Sequence, residues 1–557
     1  MSTHGKLLNI YILTIFDGYD RILSVECEVT TLTEENKITE EGSDKTQKQS
    51  KKRLAKPIIA CILVLMASLL FFFLIWLINR YDDVQFDQIL YQMKAPVSGT
   101  SSTIVVDAIV RIGLFGILVA TAEILLYLLL AGKLGIWLGK SKRYIVYSAS
   151  CVARFFKKAF MPFAAMMLVL SFAIFILRLG IHTFVANAVT KSSFIESNYA
   201  DPQATELTFP EEKRNLIYIF LESMESTFAD TSAGGNVTDN LIPELTELAE
   251  QNVSFSLDGK RGAYCYGGTG WTAASLFAQT SGVIMKVPLN FDNYATDGTY
   301  MPGITTLGDI LADAGYEQSV LFGSDAGFGA RDVYFTEHGN YNIIDHISLM
   351  EDGKLEDGYH VWWGFEDQKL FDFAKEEILR LSETGKPFNF TTLTADTHFP
   401  DGYECELCPD KYEQQYSNVI SCSSRQVYDF INWIKEQPFY ENTTIILSGD
   451  HLTMDPEFLN TINGGYVRTT YNCIINPAVQ PARELGREFA TFDMFPTTLA
   501  ALGVSIEGDK LGLGVNLFSN VNTLTEEYGY DKLDDILSKA SDFYIETFYS
   551  DETENDY

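Results

Sequence analysis

Between residues 57 and 181 the chain carries three apolar runs, each close to the roughly 20 residues a helix needs to cross a bilayer. They are Pro57 to Ile78, about Ile112 to Ala131, and about Met161 to Ile181. No other feature narrows the fold as much. A backbone in lipid must satisfy its own polar groups, and a helix does this within one segment. The first run contains Leu69-Leu-Phe-Phe-Phe-Leu-Ile-Trp76, which has no polar face at all. Arg178 stands near the end of the third, where a long side chain can reach the interface. The first run starts late and no small-residue cleavage site follows it, so a cleaved leader is not expected. Residues 1–53 read as a cytoplasmic segment and linker, and 54–181 as the membrane region of about three helices. Within the first of these, Asp17-Gly18 between Ile10 to Phe16 and Ile22 to Val29 is a hairpin signal.

The charges predict an orientation. Lys51-Lys52-Arg53 precede the first run, and Lys133, Lys140, Lys142, Arg143, Arg154, Lys157 and Lys158 lie between the second and third. Only Arg80, Lys94 and Arg111 lie between the first and second. Basic loops stay inside, so the remainder after the third run is expected outside, on a multi-pass protein of the cell membrane. The net charge of −33 argues against a nucleic-acid partner, since no basic surface stands out to neutralise phosphates. Acidity is densest from Glu526 to Tyr557, where only Lys532 and Lys539 are basic. Residues 523–557 therefore read as an acidic tail with a short helix around Asp534 to Tyr544 and a disordered end.

Residues 182–213 are mostly polar and read as an extended connector. From 214 to 522 the pattern changes. Asn215 to Leu221, Ser319 to Gly323, Phe388 to Leu393, Thr443 to Leu447 and Tyr471 to Ile475 are short apolar strands. Helical patterns alternate with them, the strongest being Glu366 to Leu381. Fully apolar strands alternating with helices predict an α/β fold, with a mostly parallel sheet covered by helices on both faces.

Ligands in such sheets sit beyond the carboxyl ends of the strands. Glu222 follows the first strand, His398 follows Phe388 to Thr397, and Asp450-His451 follow Thr443 to Gly449. Gly267-Gly268-Thr269-Gly270-Trp271-Thr272 opens a helix-patterned run whose free N–H groups would suit a phosphate. Thr269 is expected to face the bound anion, with Thr272 a turn further away. Glu222, Asp450, His451 and the Thr269 oxygen make a mixed oxygen and nitrogen tetrad. It suits Mn²⁺ or Zn²⁺, with Mg²⁺ also compatible, and suits Ca²⁺ less well.

The order Leu-Glu-Ser, Gly-Gly-Thr-Gly-Trp-Thr, Arg-Asp, Thr-His-Phe-Pro and Ser-Gly-Asp-His resembles the sulfatase-like branch of the alkaline phosphatase superfamily. More narrowly, it resembles lipoteichoic acid synthases and the phosphoglycerol transferases that decorate periplasmic glucans. The Thr-Gly-Trp-Thr variant is closer to the glucan-modifying enzymes. The resemblance covers about Asn215 to Ser519. It implies a nucleophilic Thr269 and a metal held by Glu222, Thr269, Asp450 and His451. It also implies Arg331 on the substrate phosphate and His398 beside the leaving group. The implied reaction moves glycerol phosphate from phosphatidylglycerol to a glycan or glycolipid through a phospho-threonine, releasing diacylglycerol. A phosphoethanolamine transferase or a phosphodiesterase is the alternative reading. A true sulfatase is disfavoured, since no Cys-x-Pro-x-Arg or Ser-x-Pro-x-Arg stands at Thr269.

Of the eight cysteines, Cys265, Cys405, Cys408, Cys422 and Cys473 fall in the exterior part. Cys405-x-x-Cys408 has no second pair at finger spacing, so a disulfide from Cys422 to Cys405 or Cys408 is expected rather than zinc.

Overall fold

The computed structural model describes residues 45–81, 84–96, 102–130, 135–137, 144–146, 150–257, 260–288, 299–462 and 464–549. The hairpin expected at Asp17-Gly18, the start of the linker, the basic residues Lys133, Lys140, Lys142 and Arg143, and the last residues of the tail lie outside these. The chain divides into two compact units, residues 1–69 with 116–170 and residues 70–115 with 171–557. Among the described residues, three helices are long and apolar enough to cross a membrane, over Ala55–Arg80, Ile104–Leu128 and Arg154–Arg178. The first belongs to a longer helix, Lys45–Arg80, so the end of the expected linker is helical.

In the first unit, the small residues Ala60, Val64, Ala120 and Ala164 are buried, and Tyr127 stacks on Phe160 at 3.6 Å. Ile58, Ile62, Met66, Ile117, Leu118, Met166 and Val169 are exposed. Small residues inside and large apolar ones outside is the packing of helices whose surroundings are apolar.

The second unit holds a six-stranded sheet. Its strands are β1 (Asn215–Leu221), β2 (Glu317–Phe322), β3 (Asn342–Ile344), β4 (Phe388–Leu393), β5 (Thr443–Gly449) and β6 (Asn472–Ile475), in the spatial order β6-β5-β1-β4-β2-β3. All neighbours are parallel except β6, which closes one edge antiparallel to β5. Alternate side chains of β1 enter different cores. Leu216, Tyr218 and Phe220 point into one, and Ile217, Ile219 and Leu221 into the other. This is the period of two expected of a strand buried on both faces. The first core is covered by helices that include Thr272–Ser281 and Met494–Ala501, the second by Pro243–Gln251, Asp367–Ser382 and Gln415–Lys435. The register pairs Gly449 with Leu221, Phe220 with Leu393 and Leu393 with Phe322. The carboxyl ends of four strands therefore finish level, on one rim.

Three expectations are corrected. The connector is not extended: it forms helices Ile181–Val189 and Phe194–Asn198 and a strand, Leu207–Thr208, paired with Ser505–Ile506. Among its described residues the acidic tail carries three helices, Leu524–Tyr528, Tyr530–Leu537 and Asp542–Phe548, not one. Its charge hides two apolar pairs at helical spacing, Leu533 with Leu537 and Tyr544 with Phe548, and all four are buried in the first of the two sheet cores. The expected disulfide is not formed. Cys405, Cys408 and Cys422 are free thiols, with Sγ of Cys405 3.7 Å from each of the others.

Candidate active site

Glu222 directly follows β1 and Asp450-His451 directly follow β5, its neighbour in the sheet. Level strand ends thus bring ligand atoms of Glu222, Asp450 and His451 within 4.8 Å of one another. All three residues are buried. The chain reverses at once after Glu222, with Ser223 in the left-handed region at φ +51°. That turn aims the Ser223 N–H at Asp450 Oδ1, at 2.7 Å, and the His451 N–H reaches the same oxygen at 2.7 Å. The Ser223 hydroxyl donates to Glu222 Oε1 at 2.7 Å. Asp450 Oδ1 is thereby saturated, while its Oδ2 is buried with no hydrogen-bond partner among the described residues. His451 Nδ1 lies 2.9 Å from the Leu452 carbonyl. A proton held there leaves Nε2 facing Asp450 Oδ2 and Glu222 Oε1, at 3.4 and 3.5 Å. Burial lowers the pKa of the ring, but those two carboxylates outweigh it and the net direction is upward.

An orphaned buried oxygen beside a second buried carboxylate is costly unless a cation lies between them. Burial first, and the Glu222 charge second, push the Asp450 carboxyl above the usual carboxylate range. The donor set therefore fits a divalent metal.

The fourth member of the expected tetrad lies three residues further along the chain. Thr269 is fully buried, and its hydroxyl donates to the Tyr266 carbonyl at 3.0 Å and accepts from the Tyr266 N–H at 2.9 Å. It closes a turn and does not join the cluster. Nor do the glycines before it cradle a ligand. Gly268, at φ +80°, lies against the Met285 backbone, where a Cβ would come within 2.2 Å of a carbonyl oxygen. Instead Thr272 stands at the site. It is the first residue of the helix Thr272–Ser281, and its Oγ1 lies 3.3 Å from Glu222 Oε2 and 3.3 Å from His451 Nε2. Trp271 occupies the N-cap position with no capping side-chain bond, so the first helical residue is Thr272.

Arg331 and His398 line the same cavity of about 750 Å³ as Glu222, Thr272 and His451. Arg331 is buried. Its Nε donates to the Phe328 carbonyl at 2.9 Å, and Nη2 donates to Ser324 Oγ at 2.9 Å and to the Asp325 carbonyl at 2.7 Å. Nη1 has no acceptor among the described residues. Burial lowers the guanidinium pKa to about 10, which leaves it charged at neutral pH. His398 Nδ1 lies 2.7 Å from the Phe399 carbonyl, so Nε2 is the free nitrogen. Burial lowers its pKa, against the pull of Glu222. Trp363 packs 4.6 Å from the His398 ring. Trp363 and Trp271 both line the cavity; Trp271 belongs to the glycine-rich motif, whereas nothing in the sequence pointed to Trp363. Apolar side chains line the cavity as well: Phe73, Trp76 and Leu77, from the end of helix Lys45–Arg80, with Ile104 and Val105.

The profile of the Sulfatase family matches residues 214–504, just over half of the chain. Phosphoglycerol transferase I of Salmonella arizonae is 34% identical over 257 residues, which are 44% of this chain and 32% of that protein. The match thus spans about a third of the relative's length. Among solved structures, the lipoteichoic acid synthase LtaP of Listeria monocytogenes is 17% identical with a TM-score of 0.44, over 57% of this chain and 79% of its own. The phosphoethanolamine transferase EptA of Neisseria meningitidis is 14% identical with a TM-score of 0.46, over 87% of both chains. The profile runs from the residue before β1, past Glu222, Thr272, Arg331 and His398, and beyond Asp450-His451. The chain belongs to the sulfatase family.

Proposed function

We propose that this protein is a membrane-anchored phosphoglycerol transferase that moves glycerol phosphate from phosphatidylglycerol to a glycan or glycolipid acceptor, with Thr272 as the nucleophile. The reading rests above all on the cavity. Its lining combines a polar surface, with Thr272, Glu222, Arg331, His398 and His451, and an apolar one, with Phe73, Trp76 and Leu77 from the end of an apolar helix. A phosphodiester headgroup and the start of its acyl chains need those two surfaces side by side. The basic residues around the apolar helices favour an exterior site, facing the outer leaflet. The 34% identity to a phosphoglycerol transferase supports the same donor.

Glu222, Asp450, His451 and Thr272 would hold the metal, and manganese or zinc suits their mix of carboxylate, imidazole and hydroxyl. When bound, the metal would lower the pKa of the Thr272 hydroxyl and offset charge on the phosphodiester. Thr272 Oγ1 attacks phosphorus, and the diacylglycerol oxygen leaves. The free Nη1 of Arg331 binds a phosphoryl oxygen, with the planar fork held by its three protein acceptors. His398, whose free Nε2 lines the cavity, would carry the proton lost by Thr272 Oγ1 to the leaving oxygen, and would later take one from the acceptor hydroxyl as that oxygen attacks phosphorus and Thr272 leaves. The N-terminus of Thr272–Ser281 adds the positive end of a helix dipole.

The test is to incubate the purified protein and Mn²⁺ with fluorescent phosphatidylglycerol or phosphatidylethanolamine, and to follow diacylglycerol. Release from phosphatidylglycerol, with a glycerophosphate adduct on the peptide containing Thr272, is the expected result. Release from phosphatidylethanolamine alone would mean a phosphoethanolamine transferase. No release from either would overturn the reading.

A further inference from the structure

A second cluster of metal-type ligands lies apart from the active-site residues. Cys405 and Cys408 belong to the irregular segment between β4 and helix Gln415–Lys435, and Cys422 lies in that helix. Ligand atoms of the three lie within 4.8 Å of one another, and Sγ of Cys405 is 3.7 Å from both Cys408 and Cys422. Sulfurs around a tetrahedral zinc, at a Zn–S distance of about 2.3 Å, stand about 3.8 Å apart. Cys405 is equidistant from its two neighbours, so the geometry selects neither disulfide pairing. Donors already point at the sulfurs. Gln426 Nε2 donates to Cys422 Sγ at 3.4 Å and to Cys405 Sγ at 3.8 Å, and Arg425 Nη2 donates to Cys422 Sγ at 3.8 Å. Such N–H···S contacts offset thiolate charge around a metal.

We propose that Cys405, Cys408 and Cys422 bind a single structural zinc ion, with solvent in the fourth position beside the half-buried Cys408. Binding replaces three thiol protons, which are released. The ion would staple the segment that starts just after His398-Phe399-Pro400 to the helix behind it. It would thus act as a positioning element for His398, independent of the transfer reaction.

The full-length protein, purified in detergent without chelator, is tested by metal analysis, cobalt substitution and unreduced peptide mass spectrometry. One zinc per chain should be lost in Cys422→Ser and kept in Asp450→Asn. Co²⁺ added to the stripped wild type should produce a thiolate-to-cobalt charge-transfer band in the near ultraviolet, which carboxylates and imidazole cannot supply. Alkylation of the three thiols should slow at least tenfold when zinc is present. If Cys422→Ser does not fold, the wild-type cobalt and alkylation measurements decide. A disulfide between Cys405 and either partner in the native protein, three thiols alkylated at the same rate with and without zinc, or absence of the cobalt band would overturn the assignment.

Discussion

Thr269→Ala and Thr272→Ala should fail in opposite ways. Thr269 is fully buried, and its hydroxyl both donates to and accepts from the Tyr266 backbone. Alanine there leaves the Tyr266 N–H without that acceptor, at about 1–3 kcal/mol, and the lost methyl adds about 1 kcal/mol. The sum is about 2–4 kcal/mol, which lowers the melting temperature by several degrees. Activity per folded molecule should survive, because no Thr269 atom joins the cluster. Thr272 is half-buried and its two polar contacts are long, at 3.3 Å each. Alanine at a first helical position favours the helix slightly, so the stability change should stay within about 1 kcal/mol. Turnover, however, should fall on the order of 10⁴-fold or more, as for other lost nucleophiles. Thr272→Ser should keep part of it, since the same oxygen remains. Diacylglycerol release and a thermal melt on each variant separate the two roles. A stable, fully active Thr272→Ala protein would refute the reasoning. So would a Thr269→Ala protein that melts like the wild type but is dead.

Asp450→Asn should weaken Mn²⁺ binding by at least about tenfold, measured by calorimetry, because it removes charge from the orphaned Oδ2; unchanged affinity would place the metal elsewhere. Arg331→Ala should leave the metal content intact and cost about 3 kcal/mol, or about a hundredfold, in turnover. A wild-type rate would mean that the phosphate does not reach Nη1. Deleting residues 523–557 removes Leu533, Leu537, Tyr544 and Phe548 from the core. At about 1.5–3 kcal/mol each, the loss of about 6–12 kcal/mol rivals the whole stability of a domain, so the truncated protein should be insoluble. Recovery of a soluble, active truncation would show the tail to be dispensable.

Much of the fold could be read from local pattern. Asn215–Leu221 and Phe388–Leu393 are strands with the expected bounds, since short apolar runs between polar residues have few other outcomes. β3 was missed because it is only three residues long and not fully buried, which leaves no periodicity to detect. The tail and the connector were misread because composition averages over residues. Leu533, Leu537, Tyr544 and Phe548 occupy one side of acidic helices, and an average cannot show a side.

By itself the sequence determined the elements and their chemistry: three apolar helices, strands buried on both faces, and acids and histidines directly after strands. Those are local properties, carried by hydropathy and period. Only the tertiary structure decided which atoms meet. Register brought Glu222 and Asp450 level on neighbouring strands, and the point where the helix starts decided between Thr269 and Thr272. Packing of a helix against the segment after His398 set Cys422 beside Cys405 and Cys408, where spacing alone had argued against a metal. Side chains separated along the chain meet through the summed geometry of everything folded between them, and no window of sequence contains that sum.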